Sequence, residues 1–321
     1  MENASPDNDP LTIVDIGASG GIHARWSALP CGLRAVLFEP DPREFDTLTS
    51  MAPDNWTVIN SALSDRSGDI EFRLARKQPV SSVYPPNRAI LEKFPDPERF
   101  HTVKTIKIRA DTLDNQLKAN GIQDVDFIKI DAEGYTLPIL KGGGESLRSV
   151  IGLELEVEFL PLRQGQPLFP DVHGLVQNLG FELVDLRRYF WRRAGTGNYG
   201  NTMKGQFVFA DALYLRTPER ILSMPGISEA KIFRAVVVYL SYGYFDLAEV
   251  LSRSAGAKGL LSPGTSAKIE TLLKKRRNKA RLPDFRGKGR IHDLLARIAD
   301  VFAVGGEGGA YAGTDPKVGN L

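Results

Sequence analysis

Three short stretches combine residue types and spacings that chemistry can use. The first is Val14-Asp15-Ile16-Gly17-Ala18-Ser19-Gly20-Gly21. An apolar run enters a glycine-rich turn, which predicts a strand, a tight turn and then a helix. Glycine lets the backbone approach a ligand closely. The first crossover of a doubly wound sheet also borders its ligand crevice. A dinucleotide fingerprint reads G-x-G-x-x-G, but here Ser19 stands at the second glycine position. Asp15 lies just before the turn, where a carboxylate repels a pyrophosphate and suits a cationic sulfonium or an amino group. The second stretch ends at Glu39, after the apolar run Ala35–Phe38 and about twenty residues past the turn, where a carboxylate can accept both ribose hydroxyls of an adenosine. The third is Asp126-Phe127-Ile128-Lys129-Ile130-Asp131-Ala132-Glu133-Gly134-Tyr135. Strand alternation puts Phe127 and Lys129 on one face and Ile128 and Ile130 on the other. Asp131 and Glu133 then fall at the carboxyl edge, where ligands bind.

Each stretch also has a structural reading: a plain turn, a solvated strand end, a pair of helix-capping acids. What favours chemistry is their convergence on one edge. The elements needed to bring them there are predicted from periodicity. Strands are expected at Leu11–Ile16, Ala35–Phe38, Trp56–Ile59, Asp126–Ile130, Val150–Val157, Phe181–Leu186 and Gln206–Leu215, and helices over Arg43–Met51, Thr112–Ala119 and Val172–Leu179. Strands alternating with helices indicate an α/β fold with a mainly parallel sheet covered on both faces. Pro79–Pro97 interrupts the rhythm as a long loop, with Ser81, Ser82, Tyr84 and Asn87 in it. Long loops in compact domains are often functional.

Bulk properties narrow the classes. Hydrophobic residues make up 42% of 321, enough for a core. The overall charge of +2 is unevenly spread. From Pro218 onward 17 Lys+Arg face 10 Asp+Glu, a net of +7 that leaves −5 on the first 217 residues. Cys31 is the single cysteine, which excludes an intrachain disulfide and a cysteine-based zinc site and fits a cytoplasmic protein. Met1–Pro10 has no basic and apolar signal-peptide pattern. No apolar run approaches the roughly 20 residues a membrane helix needs. The expected organisation is a disordered N-terminus over 1–10, a catalytic domain over 11–216, a basic helical extension over 217–303 and a glycine-rich, disordered tail over 304–321.

Ile13–Gly21, Phe38-Glu39-Pro40, Ala62-Leu63-Ser64-Asp65 with Gly68, Thr112-Leu113-Asp114 and Asp126–Gly142 together resemble the FkbM-type methyltransferase family in order and spacing. The resemblance covers roughly 11–216. It implies a Rossmann-like class I methyltransferase fold: seven strands, mainly parallel, one antiparallel near an edge, here with a C-terminal helical extension. It implies S-adenosyl-L-methionine as donor and a hydroxyl of a sugar, glycan or natural product as acceptor. By the same resemblance Asp15, Gly17, Ala18, Ser19 and Gly20 hold the methionine end. Glu39 and Pro40 meet the ribose, Ser61, Ala62 and Asp65 lie near the adenine, and Asp131 and Glu133 line the reaction centre. The sequence starts almost at the first strand, so an N-terminal helix over the cofactor is expected from elsewhere or not at all.

A hydroxyl acceptor has to lose its proton. The candidate bases are Asp131, Glu133, Glu156, Glu158 and His173, the last having a suitable intrinsic pKa. Glu154, Glu156 and Glu158 alternate and so share a strand face. With Asp131 and Glu133 they offer oxygen ligands for Mg²⁺, although no required metal is expected. The run Lys274-Lys275-Arg276-Arg277 suits RNA or an anionic surface. It lacks interleaved aromatics for base stacking, so no nucleic-acid partner is expected, and the C-terminal helices are candidates for homo-oligomer contacts. Two alternatives stay open: an RNA methyltransferase, and a non-catalytic cofactor-binding assembly protein.

Overall fold

A computed structural model describes residues 9–18, 20–27, 29–196, 204–277, 285–291, 294–295, 314–315 and 317–320. Its main sheet is built from β1 (Leu11–Ile16), β2 (Leu33–Phe38), β3 (Trp56–Ile59), β7 (Phe127–Ile130), β8 (Gly152–Glu158), β9 (Glu182–Trp191) and β10 (Gln206–Leu215). Their order is β3-β2-β1-β7-β8-β10-β9. Neighbours are parallel except β10, which runs antiparallel to both β8 and β9. This is the sheet the resemblance implies. A second sheet, in the order β4-β6-β5, comes from β4 (Ala62–Leu63), β5 (Gly68–Ala75) and β6 (Thr102–Asp111). The sequence reading passed over β5 and β6, although the alternation in Thr102–Asp111 was a usable strand signal.

Helices α1 (Pro42–Met51), α2 (Arg88–Leu91), α3 (Leu113–Ala119), α4 (Thr136–Lys141) and α5 (Phe169–Asn178) are followed by α6 (Pro218–Leu222), α7 (Glu229–Ser241), α8 (Phe245–Ala257) and α9 (Pro263–Arg277). α1 starts where its sequence says: Asp41 accepts from Arg43 N at 3.0 Å, and Pro42 occupies the first turn. One sheet face packs Val14, Ile16, Val36, Ile128, Ile130, Leu153 and Leu155 against α3, α4 and α5.

The opposite face is covered differently. Among the described residues of 17–32 the only helical element is a 3-10 turn at Ala24–Trp26, in place of the helix expected after the glycine turn. Its place on the sheet is taken from the far end of the chain. Leu11, Ile13, Phe127, Ile151, Leu213 and Leu215 form one apolar cluster with α7, whose residues Lys231 to Leu240 are all buried. A helix apolar on every side belongs in a core. Its two buried cations are matched: Lys231 Nζ lies 2.7 Å from Asp124 and 2.8 Å from Asp126, and Arg234 Nε lies 2.9 Å from the fully buried Asp126. Asp126 also accepts from Thr12 N at 2.8 Å, so this ion cluster joins α7 to β1 and to the start of β7.

The ends of the chain differ from expectation where they are described. Arg234 pairs with Asp9. Asp315 bonds Arg188 at 2.8 Å, Val318 is buried in the α7 cluster, and Asn320 N donates to Tyr242 O at 2.8 Å, so part of the glycine-rich tail is packed. Beyond Arg277, most of the helical extension expected over 217–303 lies outside the described residues. Lys274 pairs with Glu270 at 2.6 Å. Among the described residues no helix is long and apolar enough to cross a membrane.

Candidate active site

Backbone bonds draw the strand ends together. Gly17 N donates to Phe38 O at 3.0 Å, Asp131 N to Ile16 O at 2.9 Å, and Glu39 N to Ile59 O at 3.1 Å. Gly17 has φ +78, and a Cβ on it would stand 1.9 Å from Asp131 O, so only glycine permits the contact. Glu133 sits at φ +50 with Gly134 at φ +91 behind it. Left-handed backbone at a non-glycine residue is a cost that the surroundings must hold. Here Ser82 Oγ donates to Glu133 O at 2.8 Å, and Arg163 binds the Glu133 carboxylate.

Two cavities open at this edge and meet at Gly17, Pro79, Asp131 and Glu133. The first has a volume of about 100 Å³. Glu39, Pro40, Ser61 and Ala62 line it, beside an apolar slot of Leu63, Ile70, Phe72, Ile108 and Ile139. The second sheet supplies four of those apolar walls, Leu63, Ile70, Phe72 and Ile108. Gln78 Nε2 donates to Glu44 Oε1 at 2.6 Å between α1 and the segment opposite. Glu39 is 6% exposed. Its Oε1 accepts from Asp41 N at 2.8 Å. Burial pushes the Glu39 carboxyl up to about 7, against the lowering effect of the Asp41 amide.

The second cavity is larger, about 500 Å³, and is lined by Asp131, Glu133, Glu154, Glu156, Glu158 and Asp211. Tyr189, Trp191, Phe209 and Phe100 add aromatic wall, with Lys129, Arg99 and Arg187 among the cations. The three alternating glutamates of β8 all face it, as their spacing predicts. One oxygen from each of Asp131, Glu133 and Glu156 lies within 4.8 Å of the other two. Burial raises the Glu156 carboxyl well above the usual range, reinforced by Glu133 and Asp131. Burial also lifts Glu158 to about 8 and Asp211 to about 7, the latter accepting from Tyr189 Oη at 2.9 Å. Glu158 Oε1 and Arg163 Nη1 are buried with no hydrogen-bond partner. Lys129 Nζ lies 3.4 Å from Asp15 and 3.5 Å from Asp131. Burial opposes the charge of Lys129, but Asp15, Asp131 and Glu154 outweigh it and hold the ammonium above the ordinary lysine range.

Several expected site residues stand elsewhere. Asp15 is 3% exposed and lines neither cavity. Burial raises its carboxyl to about 6, against the pull of Lys129. Ala18 is packed against Ala35, Leu37 and Leu48. Gly20 is outside both linings, and Ser19 is outside the described residues. Asp65 is exposed, accepting from Ser64 Oγ at 3.1 Å. His173 stacks on Phe169 at 5.1 Å and meets Tyr214 Oη at 3.2 Å; it reaches neither cavity and is a packing residue of α5. Conversely, sequence reading missed Arg163 and Asp211. Asp211 could have been found, because it alternates with Phe209 and Leu213 along a recognisable strand. Arg163 follows the strand in an irregular segment and gave no periodic signal.

The loop flagged at Pro79–Pro97 is fastened to the far wall. Asn87 N donates to Leu162 O at 2.9 Å, Asn87 Nδ2 to Pro161 O at 2.9 Å, and Gln164 N to Pro85 O at 2.8 Å. Its Pro79 borders both cavities.

The 2-O-methyltransferase NoeI of Sinorhizobium fredii is 27% identical over 182 residues, 55% of this chain and 74% of that protein. The hexuronic acid methyltransferase AglP of Haloferax volcanii is 29% identical over 162 residues, 49% of this chain and 59% of that protein, so the chain spans under two thirds of AglP. A solved structure of a TehB-like S-adenosylmethionine-dependent methyltransferase from Corynebacterium glutamicum overlaps 64% of this chain and 80% of its own, at 12% identity and a TM-score of 0.30. The methyltransferase FkbM domain matches residues 15–183, which hold Glu39, Asp131, Glu133 and all three cavity-lining glutamates of β8, and the chain belongs to that family.

Proposed function

We propose that this protein is an S-adenosylmethionine-dependent O-methyltransferase whose acceptor is a hydroxyl of a sugar or glycan. The carrying observation is the junction of the two cavities at Gly17, Asp131 and Glu133. The first cavity fits the donor: Glu39 keeps one carboxylate oxygen beyond its bond to Asp41 N for a ribose hydroxyl, and the Ile70, Phe72 and Ile108 slot suits a flat base. Bound there, S-adenosylmethionine supplies a methyl group already activated on a sulfonium. The chain's residues then have to place an oxygen in line with it and take that oxygen's proton. Asp131 borders both cavities and Glu156 lies beside it in the second, so an ionised carboxylate there can accept the proton of an oxygen entering from the second cavity.

The second cavity suits a sugar. Carboxylates accept hydroxyl hydrogen bonds, and the rings of Tyr189, Trp191 and Phe209 offer flat faces to its C–H surface. The named activities of NoeI and AglP, on a 2-hydroxyl and on a hexuronic acid, support the same substrate class. Cytoplasmic residence and a non-nucleic-acid acceptor belong to this reading. Calorimetry tests the donor site: S-adenosylhomocysteine should bind in the micromolar range or tighter, and NAD should not. Equal binding of NAD would sink the donor assignment.

A further inference from the structure

From the side chains at the cavity junction we infer that Asp131, Glu133 and Glu156 form a site for one oxygen-preferring divalent cation of the Mg²⁺/Mn²⁺ type. The inference rests on the methyltransferase reading for its use, but not for its geometry. It departs from the sequence expectation of no required metal. Carboxylate oxygens from two elements, the turn after β7 and the middle of β8, come within 4.8 Å of one another. Small carboxyl rotations bring such a triad to the metal–oxygen distances of about 2.0–2.6 Å that hard cations take.

A second observation points to a missing positive partner. Glu158 lies two residues beyond Glu156 on the same strand face and lines the same cavity. It is 2% exposed, and its Oε1 has no hydrogen-bond partner. A buried carboxylate oxygen without a donor is costly. Charge counting says the same. Asp131 has Lys129 at 3.5 Å and Glu133 has Arg163, while among the described residues no ion pair reaches Glu156 or Glu158. Neither Glu156 nor Glu158 thus has a cation in contact, and a divalent ion held at Glu156 supplies one.

The donor set is all oxygen, with neither His nor Cys, which selects Mg²⁺, Mn²⁺ or Ca²⁺ over zinc or copper. Asp131 and Glu133 border both cavities, so an ion on them stands between donor and acceptor. A coordination position left open there would fix an acceptor oxygen beside the methyl group.

The test uses the full-length protein, stripped with chelator and titrated with Mn²⁺ alone. Electron paramagnetic resonance follows the signal of free aqueous Mn²⁺. The expected result is loss of that signal to one site per chain, reversed by Mg²⁺. Glu156→Gln and Asp131→Asn should each weaken Mn²⁺ binding by roughly tenfold or more, because affinity follows the carboxylate charge in the site. No binding at millimolar Mn²⁺, or equal binding by the Asp131→Asn/Glu156→Gln double variant, overturns the inference. Should a variant fail to fold, paramagnetic broadening in the wild type decides. Broadening centred on residues 129–133 and 154–158 supports the site, and broadening centred elsewhere refutes it. Neither donor nor acceptor is present in these measurements. Failure here therefore leaves the methyltransferase reading standing, and failure to bind S-adenosylhomocysteine leaves the metal site standing.

Discussion

One face of the central sheet changes character partway along its strands. Toward their amino ends, β1 and β7 present Leu11, Ile13 and Phe127, covered by α7. Further along the same face, the same strands present Asp15 and Lys129, followed by Asp131 just past the end of β7. β8 joins with Glu154 beside Lys129, and β10 with Asp211 opposite Glu156. Tyr242 marks the boundary. Its ring stacks on Phe127 at 5.3 Å, and its hydroxyl donates to Glu154 at 2.6 Å. The covered half satisfies its charges with partners, as Asp126 does with Lys231 and Arg234. The open half leaves carboxylates buried and raised. Stability is built in the first half and spent on chemistry in the second.

That contrast is breakable. The largest effect should come from the open half. Asp131→Asn or Glu156→Gln should cut methyl transfer by about a hundredfold or more, while the melting midpoint of Glu156→Gln holds or rises, because that substitution removes an acid with no cation in contact. Full activity in both variants would move the reacting centre elsewhere.

The covered half should answer in the opposite way. Arg234→Ala leaves the buried Asp126 short of a partner and should cost about 3–5 kcal/mol in urea unfolding. S-adenosylhomocysteine affinity of the folded fraction should be unchanged. A cost near zero would show that α7 is dispensable to the sheet.

How much of this was legible beforehand follows the same division. The donor cavity's polar residues were readable because they sit at strand ends: Gly17, Glu39 and Asp131 each follow an apolar run. The acceptor cavity drew on β8 alternation, which exposed Glu154, Glu156 and Glu158, but Arg163 and Trp191 came from segments whose placement depends on tertiary contacts. The covering of the sheet was not legible. A missing helix after Gly21 and its replacement by residues 229–241 is a long-range exchange that local periodicity does not encode. His173 misled for a related reason: its pKa suited the task, and only packing shows it stacked on Phe169.

A smaller effect sharpens the donor side. Glu39→Ala should weaken S-adenosylhomocysteine binding by about 1.5–3 kcal/mol, the range for a hydrogen bond to a charged group, with folding intact. An unchanged affinity would place Glu39 outside the donor contacts.

The smallest is a pH effect from the same carboxyl, raised by burial to about 7. A raised acid stabilises the fold fully below its unfolded value, and that contribution is lost as pH rises through about 7. Between pH 5 and 8 the unliganded wild type should therefore lose more thermal stability than Glu39→Gln. Ligand affinity should run the other way, strengthening as Glu39 ionises and staying flat in Glu39→Gln. Parallel pH curves for the two proteins would contradict the assignment.

The most direct test of the account follows the methyl group itself. Wild-type protein is given S-adenosylmethionine with an isotope-labelled methyl and a panel of neutral, uronic and deoxy sugars and glycans, and the product linkage is read by NMR. The account predicts label on a sugar hydroxyl oxygen, lost in the Asp131→Asn/Glu156→Gln double variant. Label appearing only on nitrogen or on RNA, or transfer to sugar that survives the double variant, would contradict it.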